Sequence, residues 1–137
     1  MVGTIIVDSN VLIFGESESS PEHALALEKY KHAASAGRIG INVIIVSEVF
    51  HQLQRIFGGA AAYARISAFL NSPAVDFLNI TAETVAAATK LARDFGLRIN
   101  DAIIAQQAIE LDAEVLTDDI RDFGRVGAVK VIPLRQS

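Results

Sequence analysis

Short apolar runs alternate along the chain with longer segments in which apolar residues recur every three to four positions. A run of four to six apolar residues between polar or turn-forming residues predicts a buried β-strand, because a strand covered on both faces shows no polar side to water. The five predicted strands are TIIV (4–7), INVIIV (41–46), VDFLNI (75–80), EVLT (114–117) and VKVIPL (129–134).

The segments between these runs carry the sequence signals of helix ends. Ser20 is predicted to cap a helix that has Pro21 at its first position and ends at Gly37, because these residue types are favoured at those places. The other predicted helices span about 47–57, 60–71, 81–96 and 101–112, the last of them capped by Asn100. Strand–helix alternation at this spacing predicts a three-layer α/β/α fold around a central, mostly parallel sheet of four to five strands.

Length and composition are consistent with one globular domain over residues 1–137. Hydrophobic residues make up 51% of the chain and charged residues 20%, which is typical of a folded protein rather than a disordered one. No apolar run approaches the roughly 18 residues of a membrane-spanning helix, and the N-terminus lacks the pattern of a secretory signal. The absence of cysteine excludes disulfides and thiolate metal sites and fits a cytoplasmic protein.

Net charge and hydropathy narrow the kinds of partner that we expect. A net charge of −4 argues against a protein that binds nucleic acid over its whole surface. It leaves room for an acidic pocket whose charge is neutralised by bound cations. The mean hydropathy of +0.36 is high for a small monomer, and it predicts an apolar surface that another protein chain covers.

Acidic residues stand where predicted strands end or where the following helices begin. Asp8 follows the first strand, Glu48 follows the second, and Asp101 lies in the first turn of the last helix. Asp118 and Asp119 follow the fourth strand. Taken singly, each has an ordinary explanation, since acids favour helix N-termini and polar turns. In an open parallel sheet, however, these positions lie at one edge, where ligands bind.

Four carboxylates at one edge repel one another, and each raises the pKa of its neighbours. A hard divalent cation removes this conflict, and Mg²⁺ or Mn²⁺ is the ion expected for a site made only of oxygen ligands. Acidic pockets that hold such ions act on phosphate esters, because the metal polarises the phosphoryl oxygen and activates water. The arrangement therefore predicts a metal-dependent phosphodiesterase.

Four motifs in this order resemble those of the PIN domain family, which includes VapC-like toxin ribonucleases of toxin–antitoxin pairs. They are IIVDSNVLI (5–13), VSE (46–48), NDAIIAQQA (100–108) and LTDDIRDF (116–123). The resemblance covers nearly the whole chain. It implies a Mg²⁺- or Mn²⁺-dependent endoribonuclease that hydrolyses RNA phosphodiester bonds.

The resemblance also implies roles for individual residues. Asp8, Glu48, Asp101 and Asp119 would hold the metal and form the catalytic site. The residue after Thr117 is often basic in toxin members and is Asp118 here, so the fourth ligand is Asp119 or Asp118, with the following Asp-Phe favouring Asp119. The supporting residues implied in this way are Ser9, Asn10, Ser47, Asn100, Thr117, Asp118 and Asp122.

Other functions compete with this interpretation. A housekeeping RNA-processing nuclease or a non-catalytic PIN-fold interaction module would share the same fold. An aspartyl phosphotransfer protein with Asp8 as nucleophile fits less well, because it leaves Glu48 and Asp101 without a role. Glu48 and His51 have the spacing of a di-iron motif, but the required second pair is absent, so His51 is predicted to be a partly exposed helix residue.

The implied partners are an RNA substrate, a cognate antitoxin protein and a second copy of the chain in a homodimer. Four arginines are candidates for phosphate contact, and the sequence does not distinguish which of them face the site: Arg55, Arg65, Arg98 and Arg121.

Overall fold

All five strands run parallel and form one sheet in the order β3-β2-β1-β4-β5. The computed structural model describes residues 3–135. Its strands are β1 (Thr4–Val7), β2 (Arg38–Ile41), β3 (Val75–Phe77), β4 (Glu114–Thr117) and β5 (Lys130–Pro133). Its helices are α1 (Ser9–Glu16), α2 (His23–Ala36), α3 (Val43–Phe57), α4 (Gly59–Asn71), α5 (Ala82–Phe95), α6 (Ile99–Leu111) and α7 (Ile120–Phe123).

Helices flank the sheet on both sides, which confirms the predicted three-layer α/β/α fold. Helices α1 to α4 contact one another in one group, and α5, α6 and α7 contact one another in a second. From β1 the chain builds outward through β2 to β3, then returns to the other side of β1 with β4 and β5. The strand order therefore reverses between β1 and β4, and ligands bind at such a switch point.

The second predicted strand is misplaced. The strand is Arg38–Ile41, and the apolar residues of INVIIV after Ile41 belong to helix α3. Asn42 decides this boundary, because its Oδ1 accepts a hydrogen bond from the Ile45 backbone N–H at 3.0 Å and so caps α3. Val43 is 54% exposed. Such exposure is expected on the outer side of a helix, but not in a strand that is covered on both faces.

Three predicted helix starts or strand ends also shift. Helix α2 begins at His23 rather than Pro21, and Ser20 instead accepts a hydrogen bond from the Glu22 backbone N–H in the preceding turn. Helix α6 begins at Ile99, so Asn100 lies in its first turn and does not cap it. The third strand ends at Phe77, three residues earlier than predicted. Thr81 caps α5 as predicted, and Gly96 ends it.

Gly37, at the end of α2, is expected to tolerate no side chain. A Cβ there would collide with the carbonyl oxygen of Gly3, which accepts the Arg38 backbone N–H at 2.9 Å beside the β1–β2 pairing. We expect Gly37→Ala to lower the free energy of unfolding by about 1–3 kcal/mol. Urea denaturation measures this change.

Gly15 offers the matched control. It lies inside helix α1, and a Cβ there would meet only Leu27 Cδ2 at 3.8 Å, an ordinary contact. Gly15→Ala should therefore raise the free energy of unfolding by about 0.5–1 kcal/mol, because alanine favours helices. Equal effects of the two substitutions would contradict this account of Gly37.

Candidate active site

Asp8 lies at the carboxyl end of β1 with its carboxylate buried and held by three donors. Its Oδ1 accepts the Ser9 backbone N–H at 2.9 Å, and its Oδ2 accepts the Thr117 hydroxyl at 2.7 Å and the Asn10 amide at 3.3 Å. The residue is only 4% exposed. A carboxylate that is hydrogen-bonded at both oxygens has a fixed orientation, so the fold determines the direction in which Asp8 points.

Thr117 and Asn10 join the ends of β1 and β4 across the switch point. Thr117 Oγ1 donates to Asp8 and also accepts the backbone N–H of Asp119 at 2.9 Å. Asn10 Oδ1 accepts the backbone N–H of Asp118 at 3.1 Å. These bonds set the path of the chain after β4 relative to Asp8, so Asp119 is positioned by the same residues that hold Asp8.

Asp101, Asp119 and Asp122 come together at this edge. One carboxylate oxygen from each lies within 4.8 Å of those of the other two. Asp101 enters from the first turn of α6 and is 5% exposed. Asp119 precedes the short helix α7, and its Oδ1 accepts the Asp122 backbone N–H at 3.2 Å. Asp122, which the sequence suggested only as a supporting residue, is thus part of the acidic cluster.

Glu48 reaches the same edge from helix α3. Because α3 begins at Val43, Glu48 lies in the second turn of that helix and does not directly follow a strand as predicted. Its Oε1 accepts the hydroxyl of Ser9 at 3.1 Å, and Ser9 also donates its backbone N–H to Asp8. Ser9 thereby links two acids that come from different elements. We call the five residues Asp8, Glu48, Asp101, Asp119 and Asp122 the acidic cluster.

Burial and mutual repulsion raise the pKa values of three members of this cluster. Burial raises the pKa of Asp8 from 3.8 to about 6. The negative charges of Asp101 and Glu48 also raise it, whereas the hydrogen bonds from Thr117 and Ser9 lower it. Burial also raises the pKa of Asp101 and of Asp119. The negative charge of Asp122 contributes to both shifts. Carboxylates in such surroundings are poised to bind a cation.

Asp118 is turned away from the cluster. Its carboxylate forms two bonds with the guanidinium of Arg135, at 3.0 Å and 2.5 Å. Arg135 also pairs with Glu22 at 3.4 Å. The backbone N–H of Asp118 donates to Asn10. Its carboxylate charge, however, is neutralised by Arg135. Of the two candidates after β4, only Asp119 belongs to the acidic cluster.

The remaining residues suggested by the sequence lie around this site in different ways. Ser47 is exposed on α3 and Asn100 is half-buried in the first turn of α6. Arg98 alone among the four candidate arginines contacts an acid of the cluster, with its Nε 3.4 Å from Asp101 Oδ2. Arg65 instead pairs with Glu16 and stacks on Phe57, and Arg55 and Arg121 are exposed.

Comparison with known proteins identifies the family. The PIN domain family matches residues 5–129 of this chain. The chain belongs to the PIN domain family. No curated protein matches it.

Solved structures show the same fold over nearly the whole length of this PIN domain. A chain of VapBC2 from Rickettsia felis, bound to a DNA fragment from its promoter, is 16% identical with a TM-score of 0.76, covering 95% of this chain and 98% of that one. VapC20 from Mycobacterium tuberculosis, a sarcin–ricin loop cleaving toxin, is 22% identical with a TM-score of 0.76, covering 94% and 99%. A toxin–antitoxin complex from Klebsiella pneumoniae is 20% identical with a TM-score of 0.70, covering 97% and 99%.

The acidic cluster fits a hard divalent cation. Every candidate ligand is a carboxylate oxygen, and Asp101, Asp119 and Asp122 already place three such oxygens within reach of a single ion. Oxygen-only sites suit Mg²⁺ or Mn²⁺ rather than zinc or copper. A cation would also stabilise the ionised forms of Asp8, Asp101 and Asp119, whose pKa values are raised without it.

No helix among residues 3–135 is long and apolar enough to cross a membrane.

Proposed function

We propose that this PIN domain is a divalent-metal-dependent endoribonuclease and the toxin of a toxin–antitoxin pair. The observation that carries the proposal is the convergence of five carboxylates at the switch point of the sheet, from the end of β1, α3, α6, the turn after β4 and α7. Similarity to VapC20, a sarcin–ricin loop cleaving toxin, supports RNA as the substrate class.

Asp8, Glu48, Asp101 and Asp119 would hold the cation, with Asp122 beside them. Mg²⁺ or Mn²⁺ would neutralise charge on the phosphodiester and lower the pKa of water. Hydrogen bonds within the protein hold the metal-binding carboxylates in place before any substrate binds. Thr117 and Asn10 orient Asp8 Oδ2, and Ser9 spans Asp8 and Glu48. Such supporting bonds keep ligand geometry within the narrow limits that catalysis requires.

The substrate class is tested by exposing the purified chain to a mixed RNA pool and to single-stranded DNA of matched sequence, both with Mg²⁺. We expect cleavage of the RNA within the strand and little cleavage of the DNA, with no cleavage of either by Asp8→Asn. Intact RNA after incubation with the wild-type chain, or equal cleavage of DNA, would contradict the proposal.

An antitoxin protein and a second copy of the chain complete the proposed assembly. Related folds occur in VapBC complexes from Rickettsia felis and Haemophilus influenzae. Large apolar side chains stay exposed on this chain, among them Val43, Ile56, Tyr63 and Leu70, and such surface is commonly covered by protein. Light scattering that showed only monomers at micromolar concentration would contradict the homodimer.

Arg98 is expected to compete with the cation for Asp101. Its side chain is 75% exposed and its contact with Asp101 is a single one at 3.4 Å, so the pair is weak and easily displaced. We expect Arg98→Gln to tighten Mn²⁺ binding about two- to fivefold, the range that exposed ion pairs provide. The measurement is a calorimetric Mn²⁺ titration at pH 8.

Arg93→Gln is the matched control. Arg93 is 74% exposed and pairs with Asp94 on α5 rather than with an acid of the cluster. Its removal changes the net charge by the same amount and should leave Mn²⁺ affinity nearly unchanged. Equal affinities for the Arg98→Gln and Arg93→Gln proteins would show that Arg98 is not a direct competitor.

A further inference from the structure

An open cleft of about 430 Å³ adjoins the acidic cluster between helices α1 and α3. Ile13 and Phe14 line it from α1, and Glu48, His51 and Gln52 line it from α3. Its size falls in the range of about 300–1,000 Å³ typical of small-ligand sites. Because Glu48 belongs both to the cleft and to the acidic cluster, the cleft is directly open to a molecule bound at the acids.

The α3 wall of the cleft presents polar side chains in one row. Glu48, His51 and Gln52 are spaced three and four residues apart and so share one face of the helix. Other polar groups of the cleft serve the fold, since Ser9 donates to Glu48 and Asn10 donates to Asp8 and Thr117. The side-chain hydrogen bonds among residues 3–135 engage neither His51, which is exposed, nor Gln52, which is half-buried.

Within the cleft, the apolar side chains of Ile13 and Phe14 on α1 therefore lie opposite the hydrogen-bonding side chains of His51 and Gln52 on α3. A nucleobase has the matching chemistry, because its faces are apolar and its edge carries donors and acceptors. The amide of Gln52 both donates and accepts, and the two ring nitrogens of His51 are further hydrogen-bonding groups. Single-stranded RNA presents bases in this way, splayed out and free to be read at their edges.

We propose that this cleft binds the nucleobase next to the scissile phosphate and that Gln52 and His51 determine which base is accepted. The inference rests on the proposed ribonuclease function and adds its specificity site. With the phosphate at the acidic cluster, the adjoining base packs against Ile13 and Phe14 while its edge meets the two polar side chains. Neither His51 nor Gln52 touches the bonds that hold Asp8, so specificity is separable from the cleavage step.

The test compares cleavage profiles of the wild-type chain, Gln52→Ala and His51→Ala. Each protein is incubated with Mg²⁺ and a randomised single-stranded RNA pool, and the product ends are sequenced to give base frequencies on both sides of the cut. We expect a base preference at one position beside the cut to fall about two- to tenfold in both variants, the value of a lost hydrogen bond. Gln54→Ala, at an exposed position of α3 that does not line the cleft, should keep the wild-type profile.

Several results would overturn the inference. An unchanged profile in Gln52→Ala and His51→Ala would do so, and it is the result expected if a protein segment fills the cleft instead. A wild-type profile with no preference beside the cut would also overturn it, as would an equal change in Gln54→Ala. If the wild-type chain cut no RNA at all, the ribonuclease function itself would fail. If the variants cut RNA with the wild-type profile, only the proposal that the cleft determines base preference would fail.

Discussion

Asp119→Asn is expected to lower the rate of RNA cleavage about a hundredfold or more, whereas Asp118→Asn should change it less than about threefold. The two residues are neighbours in sequence, yet only Asp119 places an oxygen within 4.8 Å of those of Asp101 and Asp122. Loss of a group that merely supports a metal ligand typically costs about 10- to 100-fold, so loss of a ligand costs at least as much. Asp118 is already paired with Arg135.

This pair of variants is matched in chemistry, since each replaces one carboxylate by an amide after the same strand. Asparagine caps helices as well as aspartate does, so Asp119→Asn should keep the hydrogen bond from the Asp122 N–H and the α7 turn. Circular dichroism and urea denaturation are used to check that both variants fold. A loss of cleavage in Asp118→Asn equal to that in Asp119→Asn would contradict the assignment of Asp119.

The metal-free protein is expected to lose stability as the pH rises from 4 to 7. The pKa of Asp8 is raised by burial from 3.8 to about 6, so the folded state holds this proton more tightly than the unfolded state does. The stability contributed by the protonated form is complete below pH 3.8 and is lost as the pH passes through about 6. The loss from this group alone is about 3 kcal/mol, and the raised pKa values of Asp101 and Asp119 add to it in the same direction.

Urea denaturation of the wild-type chain and Asp8→Asn in EDTA, at several pH values, isolates this contribution. The difference in unfolding free energy between the two proteins should move by about 3 kcal/mol in favour of the variant between pH 4 and pH 7. At pH 7, Mg²⁺ should stabilise the wild-type chain more than the variant, because ligand that binds only the folded state raises its stability. A difference that did not depend on pH would contradict the account of Asp8.

The parts of the site that follow strands directly could be predicted from the sequence. Asp8 ends an apolar run, and the Thr117 segment ends another, so the sequence predicts both at the edge of the sheet. The sequence also predicts Glu48 at this edge, but it does so from a misplaced strand, since Glu48 lies on helix α3. The run INVIIV has the composition of a strand, but the cap made by Asn42 and the packing of Ile45 and Val49 turn it into a helix. Local composition alone does not predict this outcome, because it depends on tertiary packing.

Other features depend on contacts that a sequence pattern does not record. Helix α7 is four residues long and too short to show apolar periodicity, so the sequence does not predict the approach of Asp122 to Asp101. The pairing of Asp118 with Arg135 joins residues 17 apart along the chain, and it depends on where β5 ends rather than on any motif. That pair resolves which acid after Thr117 enters the cluster. His51 and Gln52 line a cleft only because α1 packs opposite them, and the sequence does not show that arrangement.

The central claim is that the acidic cluster works as a divalent-metal site for RNA cleavage. The most direct test is the initial rate of cleavage of one RNA oligonucleotide, measured in EDTA and again after excess Mg²⁺ or Mn²⁺ is added to the same sample. We predict a rate in EDTA no higher than that of Asp8→Asn, and recovery of cleavage when the metal is restored. Full cleavage in EDTA would contradict the claim.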